Sequence, residues 1–121
     1  MKIVSKDSTR KYERDGIVSY LLASEITTNA KNITTTLVEM QPHGFQKPHT
    51  HSQEQCYFII SGEGEMTVGN EVEKVKSGDC IHVPSNELHG LKNVGSKLLQ
   101  YYSAASPSLK MEELLTIWSI E

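Results

Sequence analysis

Pro48-His49-Thr50-His51-Ser52-Gln53-Glu54-Gln55 and, further along, Pro84-Ser85-Asn86-Glu87-Leu88-His89 are the two stretches whose reading decides the fold. Side chains on an extended segment alternate with period two, so His49 and His51 point to one face, and Gln55 keeps their phase if the strand runs regularly. His89 closes the set from a distant strand. Three imidazoles and one amide oxygen are a donor set suited to a borderline divalent metal.

Read outward from His49, the first stretch is Gly44-x4-His49-x-His51-x3-Gln55-x6-Gly62, and the second is Gly78-x5-Pro84-x-Asn86-x2-His89-x3-Asn93, with fifteen residues between Gly62 and Gly78. This pattern resembles the two motifs of the cupin family, in which a small antiparallel barrel carries two His, a Glu or Gln, and a third His as metal ligands. The resemblance covers roughly residues 33–106. It implies a double-stranded β-helix, or jelly roll, with one divalent metal (Zn, Ni, Fe, Mn or Co) on His49, His51, Gln55 and His89. It also implies a small-molecule ligand and a homodimer. Three positions depart from the usual pattern. Gly44 leaves four residues before His49 where five are usual, Gln55 stands where Glu is commoner, and Asn86 stands where Gly is commoner. Asn tolerates positive φ better than most residues.

The chain of 121 residues carries 12 basic and 15 acidic side chains, a formal charge of −3, and its length suits one domain spanning residues 1–121. No basic block is present and the charges are interspersed, which argues against nucleic acid as a partner. The start, Met1-Lys2-Ile3-Val4-Ser5-Lys6-Asp7, lacks the apolar stretch of a signal peptide, and no run approaches a membrane span. A cytoplasmic protein with no membrane partner is expected. Cys56 and Cys80 are then reduced thiols packed as small hydrophobes. Neither has the Cys-x-x-Cys spacing of a redox pair.

Short β-branched and apolar runs bounded by turn formers read as strands over 16–22, 32–40, 56–60, 79–83 and 97–103. Pro42, Gly44 and Pro48 predict an irregular loop between Met40 and His49. Glu65–Val68, Gly69-Asn70 and Glu71–Val75 read as a hairpin whose Gly-Asn pair supplies positive φ. Together these predict an all-β sandwich or barrel. Met111, Leu114, Leu115 and Trp118 recur at helical spacing and predict an amphipathic C-terminal helix over about 108–119, packed on the barrel or on a partner. The N-terminal dozen residues, with Lys11–Asp15, are either a flexible lead or a strand that pairs with a neighbour.

A neutral Gln55 beside three neutral imidazoles leaves the metal's double positive charge uncancelled, which favours anionic ligands and Lewis-acid chemistry. The absence of a ligating carboxylate also departs from the two-His-one-carboxylate iron pattern. Tyr57 and Ile59 share the phase of Gln55 and are expected in the pocket floor, with Val38 and Met40 entering from a neighbouring strand. His82 and Tyr57 are the candidate acid–base residues, while His43 and Glu54 read as rim groups. Tyr101 and Tyr102 alternate, so one faces inward. Two functions follow. One is a small metalloenzyme acting on a sugar derivative or keto acid by isomerase, lyase or dioxygenase chemistry. The other is a non-catalytic binding or sensing module whose metal anchors the ligand. An outward-facing His82 favours the second.

Overall fold

Alternation of apolar and polar residues, interrupted by Gly, Asn and Asp turns, sets the element order in the computed structural model, which describes residues 1–117. The strands are β1 Lys11–Arg14, β2 Ile17–Leu21, β3 Thr34–Met40, β4 Phe45–His49, β5 Glu54–Ser61, β6 Glu63–Val68, β7 Glu71–Lys76, β8 Cys80–Val83, β9 His89–Asn93 and β10 Leu99–Ser106. One helix, α1 Met111–Ile117, follows them. The expected Trp118 end of that helix lies outside the described residues. The strands form two antiparallel sheets in the orders β1-β2-β3-β10-β5-β8 and β4-β9-β6-β7. Both sheets feed one apolar core, with Val38, Tyr57, Ile59 and Tyr101 from the first and Met66, Val75 and Leu91 from the second. This is the expected jelly-roll architecture. Burial of each large apolar side chain in it contributes on the order of 1.5–3 kcal/mol.

Period two is clearest in β10, where Leu99, Tyr101, Ser103 and Ala105 are buried while Tyr102 and Ser106 are exposed. The same alternation turns Gln55, Tyr57 and Ile59 of β5 inward and Phe58 and Ile60 outward. In the β6–β7 hairpin the positive φ falls on Gly69 alone, at 61°, and Asn70 needs none. A single positive φ at the first turn position is the habit of a Gly-X hairpin turn.

Two expectations are corrected here. The stretch from Met40 to His49 contains a strand, β4, in spite of Pro48. β4 is the outermost strand of its sheet, and its pairing to β9 breaks register between Gln46 and His49, so proline's missing N–H removes no ladder bond. Gly90 on β9 makes room for it, because a Cβ there would meet Gln46 O at 2.7 Å and Pro48 N at 3.0 Å. Residues 1–10 are turns and irregular backbone, while Lys11–Arg14 forms β1 and pairs with β2 of the same chain through Arg14↔Ile17 and Tyr12↔Ser19.

Helix α1 packs by Leu114, fully buried against Leu21, Ile26 and Leu109. It therefore caps the end of β2 and leaves the outer face of the six-stranded sheet uncovered. Phe58 is 45% exposed, Ile60 41% and Tyr102 39%. Cys56 and Cys80 are free thiols on β5 and β8. Among the described residues no helix is long and apolar enough to cross a membrane.

Candidate metal centre

His49 ends β4 and pairs across the sheet with His89, the first residue of β9. The two rings are 4.3 Å apart between centroids, and the His51 ring lies 4.7 Å from that of His89. His51 sits beyond the end of β4, where the chain bends through Ser52 and Gln53 before β5 begins at Glu54. One regular strand through His49, His51 and Gln55 is thus not what brings them together. The second motif does it: Asn86 N–H donates to His51 O at 2.8 Å, and Ser85 Oγ donates to Ser52 O. Asn86 holds φ at 64°, the left-handed conformation its side chain tolerates.

One ligand-capable nitrogen from each of His49, His51 and His89 lies within 4.8 Å of the others, a group that could hold a metal ion. Their orientation has a local cause. His49 Nδ1 meets Lys47 O at 3.1 Å, His51 Nδ1 meets Gln53 O at 3.0 Å, and His89 Nδ1 meets Glu87 O at 2.9 Å. A carbonyl can only accept, so each Nδ1 carries the proton and each Nε2 presents a lone pair. Carbonyl partners of this kind are the usual outer support of metal-ligating histidines. Burial favours the neutral form of two of them: it lowers the pKa of His49 and pushes that of His89 down to about 4.

The donor set fits a cation on two further observations. His89 is 0% exposed, and its Nε2 is buried with no hydrogen-bond partner, an arrangement that costs about 1–3 kcal/mol unless something binds there. Gln55 Nε2 donates to Ser103 Oγ at 3.2 Å, which turns Gln55 Oε1 toward His51 Nε2 at 2.8 Å. Two acceptors at that separation repel unless a proton or a cation lies between them.

His49, His51 and Gln55 line a cavity of about 580 Å³, also lined by Val38, Tyr57, Tyr101, Ser103 and Arg14. That size is ordinary for a small-molecule site. Tyr57 is buried, its hydroxyl donates to Gln46 Oε1 at 3.0 Å, its ring stacks on Tyr101 at 4.7 Å, and it stands edge-on to His89. Burial raises its pKa well above the ordinary tyrosine value, so it stays a neutral donor. Val38 lines the cavity, whereas Met40 and Ile59 lie in the core beneath it.

His82 stands elsewhere. It pairs in register with Cys56 on the outward phase of β5, is exposed, and binds Glu54 Oε2 through Nε2 at 2.5 Å. His43 is an exposed loop residue with φ of 69°. Among the cavity residues that escaped the sequence reading are Arg14, Gln46, Gln53 and Ser103. Ser103 was detectable from its phase with Tyr101. Gln46 and Arg14 depended on strands β4 and β1, and nothing in the sequence marks Gln53.

The family profile described as the cupin domain matches residues 36–104, more than half of the chain. The chain belongs to the cupin family. It is 30% identical over 118 residues to an uncharacterized protein of Methanocaldococcus jannaschii, covering 93% of this chain and 94% of that one. It is 28% identical to auxin-binding protein 1 of Arabidopsis thaliana over 74% of this chain, spanning 50% of that protein. Among solved structures, a predicted oxalate decarboxylase from Thermotoga maritima superposes with a TM-score of 0.77 at 18% identity, covering 87% of this chain and 98% of the other. That likeness is one of fold.

Proposed function

We propose that this cupin binds a divalent metal through His49, His51, His89 and Gln55, and uses it to hold an oxygenated, anionic small molecule in the cavity. The observation that carries this reading is the buried, unpartnered Nε2 of His89, aimed where His49 and His51 also present lone pairs. When bound, the metal supplies a Lewis acid at open coordination positions. The chain's part is to orient three imidazoles through main-chain carbonyls, to orient Gln55 through Ser103, and to wall the ligand with Tyr57, Tyr101 and Val38. Zn, Ni, Fe, Mn and Co all accept this donor set.

Of the two uses of such a site, metal-anchored binding is the better supported. His82 points away from the cavity, and Tyr57 is held protonated with its hydroxyl committed to Gln46. Beside the histidines the cavity wall includes the amides of Gln53 and Gln55, the hydroxyls of Tyr57 and Ser103 and the apolar Val38, with Arg14, Asp15, Lys47 and Glu113 as its charged side chains. Isomerase, lyase or dioxygenase chemistry on a sugar derivative or keto acid is the second reading. It is favoured by a cavity large enough to enclose such a molecule and by the likeness to the predicted oxalate decarboxylase.

The exposed row of Phe58, Ile60 and Tyr102 supports a homodimer closed on the outer face of the six-stranded sheet. Cys56 and Cys80, unbridged on that face, suit a reducing cytoplasm.

The decisive experiment is elemental analysis of the purified, untagged protein beside its His49→Ala/His51→Ala double variant. Stoichiometric metal in the wild type and none in the folded variant is expected. Equal metal in both would remove the site assignment.

A further inference from the structure

Arg14 lies at the end of β1, outside the residues that match the family profile, yet its side chain lines the same cavity as His49, His51 and Gln55. The turn at Asp15 and Gly16 folds β1 back along β2, placing Arg14 opposite Ile17 on the inward phase of the sheet. Its Nη1 donates to Ser19 Oγ at 2.9 Å, and its guanidinium lies 4.6 Å from the centre of the Tyr12 ring. A hydroxyl and an aromatic face therefore orient it, but neither neutralises it. Among the described residues no carboxylate stands within ion-pair distance of Arg14. A fixed planar guanidinium facing a partly enclosed cavity is matched best by a carboxylate, through paired hydrogen bonds. Burial dominates the pKa shifts of His49, Tyr57 and Tyr101, but the positive charge of Arg14 contributes to each of them.

Arg14 and Gln55 enter the cavity from different strands. Gln55 lies on β5, and β2, β3 and β10 intervene between it and β1. In the same cavity Gln53, 4% exposed, leaves its Oε1 without a partner, an acceptor for a hydroxyl or amine on a ligand.

We propose that Arg14 is a second recognition point, binding a carboxylate on a part of the ligand that the histidines do not hold and so selecting dianions over monoanions with the same metal-binding head. This inference rests on the metal reading above. It is tested by calorimetric titration of the zinc-loaded wild type, Arg14→Met and Arg14→Lys with 2-oxoglutarate and with 2-oxopentanoate, which share a head and differ in the distal carboxylate. The wild type should bind 2-oxoglutarate at least about tenfold more tightly, the range of one charge-assisted contact. Arg14→Met should abolish that preference while leaving 2-oxopentanoate affinity, zinc content and melting temperature unchanged, and Arg14→Lys should restore part of it. No preference in the wild type, or equal weakening of both acids in Arg14→Met, would overturn the role of Arg14. Zinc content measured on the same samples separates this from failure of the metal site. If zinc does not bind, the metal reading falls, and the titration is repeated on metal-free protein. A dianion preference that Arg14→Met removes then supports Arg14, and the lack of one overturns it.

Discussion

Metal-free protein should lose stability as the pH falls from 7 to 5, and His89 should account for much of the loss. Burial holds its folded pKa at about 4, against an ordinary histidine value of 6.5. Above pH 6.5 both the folded and the unfolded chain carry this imidazole neutral, and it contributes no pH dependence. As the pH drops below 6.5 the unfolded chain takes up a proton that the folded chain refuses, so the equilibrium moves toward unfolding. The loss saturates below pH 4, where both states are protonated. Over the full window it amounts to roughly 3 kcal/mol, of which about 2 kcal/mol is expressed by pH 5. The assay is urea unfolding of chelator-treated wild type and His89→Gln at pH 7 and pH 5, where most surface carboxylates have not yet titrated. Glutamine cannot charge, so the variant should lose about 2 kcal/mol less over this interval than the wild type does. A residual decline is expected from His49, whose pKa burial also lowers. If His89→Gln declines as steeply as the wild type, His89 is not held neutral, and the argument for a preformed, metal-ready site fails with it.

Gln55→Glu should fold normally and bind metal more tightly, while 2-oxopentanoate binds the metal-loaded variant less well, because the added negative charge cancels part of the cation's. Unchanged or improved anion affinity in calorimetry would refute the benefit assigned to a neutral ligand. Tyr57→Phe should cost about 1–2 kcal/mol in urea unfolding, since Gln46 Oε1 loses its buried donor, and should leave metal content unchanged. A loss of metal would instead place Tyr57 in the centre itself. Light scattering at micromolar concentration should give twice the 13.5 kDa chain mass for the wild type and a single chain mass for Phe58→Asp, with similar melting temperatures. A monomeric wild type would remove the dimer.

Much of this architecture was readable because β-branched and apolar runs bounded by turn formers are a strong strand signal. β2, β3, β5 and β10 were all visible in that way. The three histidines were visible as well, but for an incomplete reason. Phase alone would need a continuous strand from His49 to Gln55, and the bend at Ser52 and Gln53 breaks it. What aligns His51 is a long-range backbone bond from Asn86, which no local pattern encodes. β4 was hidden because proline reads as a breaker unless the strand is known to be an edge. His82 could not be assigned a face without its pairing to Cys56, and that pairing places it outside. Arg14 was hidden for a similar reason. A four-residue strand with exposed, charged residues carries no hydrophobic signal, and its inward phase appears only once it pairs with β2.

The three histidines take their tautomers from the main-chain oxygens of Lys47, Gln53 and Glu87, each two positions away in sequence. Every amino acid offers that oxygen, so the proton placement on the imidazoles is insensitive to which side chains occupy those positions. A centre supported by carboxylates or amides could be retuned by single substitutions in its supports, but this one presents few such handles. Heritable variation is thereby channelled to Gln55 and to the cavity wall, while the arrangement of the three histidines can stay constant.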